Sequence, residues 1–142
     1  MSIEQITPKL SVEGADKAIR YYSEVLAAVL RDRHAADGRV LFAELELPGG
    51  AVFQVKDADE FDPDPLRLGG RGVLLTVVTA DPDDLARRMV AAGGETVFEV
   101  ADQYYGARQG RVRDPFGHEW IIGTPVPRAA EFSDDLSGRK AR

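Results

Sequence analysis

The sequence predicts an α+β fold: two βαβββ modules in tandem whose strands form a curved mixed sheet around a cavity. Three observations carry this reading. The element order runs strand, helix, three strands, and then runs so again. Gly14 and Asp81, which precede the two helices, stand 67 residues apart, and so do Gly50 and Gly117, which precede the last strand of each half. One half alone would leave a sheet face bare, and pairing two halves covers it.

Ile6 to Val12 reads as the first strand. Ala15 to Val29 reads as a helix, because Ala18, Ile19, Tyr22, Val25, Leu26 and Val29 recur at helical spacing. Leu30 to His34 is the faintest strand. Arg39 to Leu47 alternates Leu41, Ala43, Leu45 and Leu47 with Glu44 and Glu46. Pro48-Gly49-Gly50 turns the chain into the strand Ala51 to Lys56, and the Asp-, Pro- and Gly-rich run Asp57 to Arg71 reads as a connecting loop. Gly72 to Thr79 is a β-branched strand. Asp81-Pro82-Asp83-Asp84 starts a helix with a cap, a proline in the first turn and acid at the positive end of the helix dipole. Leu85, Met89 and Ala92 form its apolar face, and Gly93-Gly94 end it. Thr96 to Val100, Arg108 to Arg113 and Glu119 to Gly123 are the last strands, with Asp114-Pro115-Phe116-Gly117 as a tight turn. The expected organisation is one domain over 1–124: module one at 3–57, a linker at 58–71, module two at 72–124. A tail without periodicity follows at 125–142.

The chain has 142 residues, enough to bury a core. It has no cysteine, which excludes disulfides and thiolate metal sites. The net charge of −6 opposes binding to nucleic acid, whose phosphates call for a basic surface. The apolar run Val25 to Leu30 is too short to span a bilayer, and Met1 to Glu4 has no basic, apolar leader pattern. No membrane partner and a cytoplasmic location are therefore expected.

Strand alternation sorts the faces. Leu10, Val12, Phe53, Val55, Val73, Leu75, Val77, Trp120 and Ile122 share the phase expected to face the helices. The opposite phase carries Thr7, Lys9, Gln54, Leu74, Thr76, Glu119 and Ile121, the mixed lining of a ligand pocket. Phe42, Glu44 and Glu46 are candidates to join it. Tyr104 and Tyr105 stand where a loop could close over the opening, and Arg111 is placed to attract an anionic group. Plainer readings stand beside these. Arg111 and Arg113 fit the solvated face of an edge strand, Lys9 and Glu119 fit a mutual ion pair, His118 fits a solvated residue and His34 a turn end.

Ile6-Thr7-Pro8-Lys9-Leu10-Ser11-Val12 followed by Ala18-Ile19-Arg20-Tyr21-Tyr22, and above all the run from Ala101 through Asp114-Pro115-Phe116-Gly117-His118-Glu119 to Trp120, resemble the vicinal oxygen chelate superfamily of glyoxalase, bleomycin-resistance and dioxygenase proteins, in particular its PhnB-like branch. The resemblance covers residue 3 to about residue 125. It implies a homodimer, because sheet edges of such proteins abut across a two-fold axis. In metal-dependent members, four His, Glu or Gln ligands come from four strands. Carried over by motif, those columns fall on Thr7, Gln54, Leu74 and Ile121, and only Gln54 offers a usable donor. No metal and no cofactor are therefore expected. The implied function is metal-independent binding of a small organic, aromatic or heteroaromatic ligand by Thr7, Lys9, Phe42, Gln54, Leu74, Tyr104, Tyr105, Arg111, Glu119 and Ile121. The alternatives are a metal-independent lyase or isomerase with Glu119 or Glu44 as base, a metal-dependent enzyme of the glyoxalase or dioxygenase kind if the strand register differs, and a partner-binding module using the acidic loop Asp57 to Asp64 or the tail.

Overall fold

A computed structural model describes residues 3–70 and 72–127. Arg71 and residues 128–142, most of the expected tail, lie outside the described residues. The elements run β1 (Lys9–Val12), α1 (Ala15–Leu26), β2 (Val29–Ala36), β3 (Arg39–Glu46), β4 (Val52–Asp57), α2 (Pro65–Leu68), β5 (Leu75–Val78), α3 (Pro82–Ala91), β6 (Glu95–Asp102), β7 (Arg108–Arg113) and β8 (Glu119–Gly123). They form two four-stranded mixed sheets of order β1-β4-β3-β2 and β5-β8-β7-β6. The first strand of each module lies parallel to the last, and the other pairs are antiparallel.

The internal repeat extends to individual hydrogen bonds. Lys9 pairs in register with Gln54, and Thr76, 67 residues on, pairs with Ile121. Leu47 N–H donates to Ala51 O at 2.8 Å, as Asp114 N–H does to His118 O at 2.8 Å. Ala18 N–H reaches Gly14 O at the start of α1, as Leu85 N–H reaches Asp81 O at the start of α3.

Local chemistry sets each helix start. Asp81 accepts from Asp84 N–H at 3.0 Å, as its capping position predicts. Gly14 has no side chain to cap α1, and the Asp57 carboxylate at the end of β4 serves instead, accepting from Ala15 N–H at 2.8 Å and from Val40 N–H at 2.7 Å. The apolar stripe of α1 (Ala15, Ala18, Ile19, Tyr22, Val25 and Leu26) is buried, as are Leu85 and Met89 of α3. These helices share one core with the inward faces of both sheets. Tyr22 lies 5.4 Å from Phe53 of the first module and 5.6 Å from Trp120 of the second, ring centre to ring centre. Among the described residues, no helix packs on the opposite face of either sheet.

Val73 is 77% exposed, because β5 begins only at Leu75 and Val73 lies outside the pleat that would turn it inward. Leu74 and Thr7 precede β5 and β1 rather than lying within them. The run 57–71 is not wholly loop, since Pro65 starts the single turn α2. His118 is not a solvated residue: its imidazole Nε2 lies 2.9 Å from Ser11 O in β1, part-buried. The faint second strand is eight residues long, exposed throughout, and carries Arg31, Asp32, Arg33 and His34 at the edge of its sheet, where charge deters edge pairing.

Candidate functional site

The open face of the second sheet is built from β6, β7 and β8. In β8, Trp120 and Ile122 point into the core, so Glu119 and Ile121 point the other way. In β7, Gly110 and Val112 are buried and Gln109, Arg111 and Arg113 take the open side. Register places Arg111 beside Ile121 and Arg113 beside Glu119, and β6 sets Phe98 against Arg111. β6 carries register shifts around Phe98 and runs very close to β7 at Gly110, where a Cβ would meet Val100 Cα at 2.8 Å.

These residues form a pocket of about 200 Å³ whose lining includes Phe98, Gln103, Tyr105, Gln109, Arg111 and Ile121. The Arg111 guanidinium lies 5.4 Å from the centre of the Phe98 ring. Its Nη1 donates to Glu119 Oε1 at 3.3 Å. Arg113 reaches Glu119 Oε2 with Nη2 at 3.0 Å and Nε at 3.3 Å. Glu119 is 6% exposed, and among the described residues Arg111 and Arg113 both hold this buried carboxylate. Tyr105 donates its hydroxyl to Gln109 Oε1, and Gln103 donates its amide to the carbonyls of Ala101 and Gln109. These bonds fix the wall between β6 and β7. Tyr104 stands edge-on to Tyr105 at 5.1 Å but is 49% exposed and outside the pocket lining.

The open face of the first sheet holds a separate cluster. Lys9, Gln54, Glu44 and Asp32 follow one another across β1, β4, β3 and β2 in register. Lys9 Nζ lies 5.3 Å above the Phe42 ring, and the His34 imidazole stacks on that ring at 4.6 Å while bonding Asp32 at 2.9 Å. Gln54 donates to Glu44 at 3.5 Å. Thr7 accepts from the Gln5 amide just ahead of β1.

Of the ten residues that the sequence nominates, Tyr105, Arg111, Glu119 and Ile121 thus come together on the second sheet, with Tyr104 at its margin. Lys9, Phe42 and Gln54 gather on the first sheet, with Thr7 ahead of β1 and Leu74 ahead of β5. Lys9 and Glu119 stand on different sheets, and each has other neighbours. Nor are Arg111 and Arg113 on an edge strand, for β7 lies between β8 and β6. Phe98, Gln103 and Gln109 line the pocket without having been nominated. Gln109 and Arg111 share a strand face at a spacing of two, and that period could have found Gln109.

The donors at equivalent registers do not fit a chelated ion. Lys9 is a cation, Ile121 has no donor atom, and the Glu119 oxygens are engaged by Arg111 and Arg113. Among the described residues no group of three or more His, Asp or Glu side chains is arranged to hold a metal.

The sequence matches the model of the glyoxalase/bleomycin resistance protein/dioxygenase superfamily over residues 2–122. The chain belongs to that superfamily. An uncharacterized protein of Mycobacterium bovis is 34% identical over 126 residues, covering 85% of this chain and 83% of the relative. Among solved structures, TioX from Micromonospora sp. ML1 is similar at 27% identity, with 85% of this chain and 98% of that one covered and a TM-score of 0.65. A glyoxalase family protein from Bacillus cereus shares the superfamily fold at a TM-score of 0.70 and 18% identity, over 89% of this chain and 97% of that one. Among the described residues no helix is long and apolar enough to cross a membrane.

Proposed function

We propose that this superfamily member is a small-molecule-binding protein that uses no metal ion and holds an aromatic or heteroaromatic ligand on the open face of its second sheet. The observation that carries the proposal is the placement of Arg111. Its guanidinium sits between the Phe98 ring and Glu119, in a pocket walled by Tyr105 and floored by Ile121. A flat ring packs on Ile121 and Tyr105, and an acceptor or anionic substituent meets Arg111. Binding of this kind needs shape and a few polar anchors and no reactive group. The likeness of the run from Ala101 to Trp120 to the PhnB-like branch agrees with this reading, and a cytoplasmic location is proposed with it.

The pocket is shallow for a drug-sized guest, and a homodimer supplies the rest of the reading. The first sheet's open face holds Lys9, Phe42 and Gln54. Two copies facing first sheet to second would bring these three residues over the ring site.

A melting-temperature screen of aromatic carboxylates and heteroaromatic compounds in EDTA tests the proposal. A fitting ligand raises the midpoint in a dose-dependent manner, and Arg111→Met abolishes the rise. A rise that vanishes with EDTA and returns with a divalent metal would defeat the metal-free reading. An undiminished rise in Arg111→Met would defeat the site.

A further inference from the structure

The two halves of the chain build the same turn before β4 and before β8, yet the two turns carry different side chains. Pro48, Gly49 and Ala51 correspond, at the 67-residue spacing, to Pro115, Phe116 and His118. Matching backbone bonds close both turns, Gly50 N–H to Leu47 O and Gly117 N–H to Asp114 O. Phe116 is buried against α1, with its ring edge-on to Tyr21 at 5.9 Å. His118 Nε2 lies 2.9 Å from the carbonyl oxygen of Ser11, on the strand edge that β4 does not cover. The first turn has glycine and alanine at these two places. Beside it lies a groove of about 480 Å³, within the range of small-molecule sites. Its walls include Arg88, Leu85 and Val78, which stand where Tyr21, Ala18 and Ser11 stand in the other half. The groove is the place of two rings that only one half possesses.

Its polar groups are also set by the repeat. Thr79 N–H bonds Gly123 O at 2.8 Å, toward β8, so alternation turns the Val78 carbonyl to the open edge, as it turns that of Ser11. The Arg88 guanidinium is held by Val25 O at 2.9 Å and by the Asp84 carboxylate at 3.0 Å. It offers a fixed cationic plane on which a ring can stack.

We propose that this groove is a second binding site, for a small planar aromatic molecule bearing an N–H or O–H donor. The ring takes the place that Phe116 fills in the other half, and the donor reaches Val78 as His118 reaches Ser11. The site is distinct from the pocket at Arg111, since none of the described residues lines both.

Titration of the full-length, isotope-labelled chain with indole, followed by amide proton–nitrogen spectra, tests this. Saturable shifts are expected at Gly49, Ala51, Val78 and Thr79, with a dissociation constant at or below about 1 mM. The double variant Gly49→Phe/Ala51→His restores both rings. A Cβ at Gly49 meets nothing within 4 Å, so there is room for it. This variant should bind indole at least about tenfold more weakly while keeping a dispersed spectrum. Ala51→His alone, a milder change, should weaken binding several-fold and serves if the double variant does not fold. Absent or unsaturable shifts at these amides overturn the proposal, as does unchanged affinity in the variants. Shifts of the same amides on concentrating the chain without indole would give the groove to a second copy and overturn it too.

Discussion

Tyr22 of α1 donates its hydroxyl to the Asp114 carboxylate at 2.5 Å, across the boundary between the two modules. Asp114 sits in the turn before β8 and is 2% exposed. The same carboxylate accepts from Trp120 Nε1 at 2.8 Å, from Phe116 N–H at 2.9 Å and from His118 N–H at 3.0 Å. One buried anion is satisfied by four donors, one of them from the other module. Burial pushes the Tyr22 phenol well above its ordinary value, and the nearby Asp114 charge adds to this, so the hydroxyl remains a donor through any physiological pH.

Tyr22→Phe keeps the ring and its contacts with Phe53 and Trp120 and removes only the donor. A hydrogen bond to a charged group contributes about 1.5–3 kcal/mol, so the variant should melt roughly 3–12 °C lower. Asp114→Asn should cost more, because an amide N–H₂ then faces N–H donors in a buried site. Urea unfolding of both variants checks the order. A loss under about 0.5 kcal/mol in each would show that the contact does not hold the modules together.

The surface carboxylates make a second prediction, on pH. Hydrogen bonds from Arg33, Lys56, Arg108 and Arg88 hold Asp16, Asp59, Asp83 and Asp84, respectively, below the usual carboxylate value. Their folded values lie below their unfolded ones. The stability they contribute is therefore full above the unfolded value, about 3.9, and is lost as pH falls through it toward the folded value. Stability measured from pH 7 to pH 3 should stay level to about pH 5 and then fall. Arg108→Met removes the cation that bonds both oxygens of Asp83, through Nε and Nη2 at 2.7 Å each, so its acid limb should be shallower than that of the parent. An unchanged limb would remove Asp83 from the account.

Period-two alternation made much of the fold legible. Leu10, Val12, Phe53, Val55, Trp120 and Ile122 are all buried, as their phase predicts. Alternation fails at strand ends, and Val73 is exposed because no partner strand continues the pleat there. Sheet order is not local, so β7 read as an edge although β8 and β6 flank it, and Arg111 and Arg113 pair with a buried Glu119 rather than with solvent. Asp114 was readable as a turn residue. Its role as a hub was not, since Tyr22 lies 92 residues away. Strand phase grouped Thr7, Lys9, Gln54, Leu74, Glu119 and Ile121 as one lining. Phase cannot say which sheet a residue belongs to, and so it merged two separate open faces into one.

The end of α1 carries the last prediction. The helix stops at Leu26 rather than at Val29 because Ala27 adopts a left-handed conformation, φ 56° and ψ 30°, with its N–H donating back to Tyr22 O. This is the position that glycine commonly fills at a helix end. An alanine there crowds its Cβ against the following carbonyl, at a cost of about 1–2 kcal/mol. At the equivalent helix end in the second half the chain has Gly93 and Gly94, with φ 113° at Gly93. Ala27 is exposed, so removing its methyl group forfeits little burial. Glycine also gains freedom in the unfolded chain, which offsets part of the relief. Ala27→Gly should therefore stabilise the fold by about 0.5–1 kcal/mol, whereas Ala27→Val, β-branched in the same conformation, should destabilise it. Urea midpoints of the two variants against the parent decide the matter, and a loss of stability in Ala27→Gly would show that the left-handed backbone carries no strain to relieve.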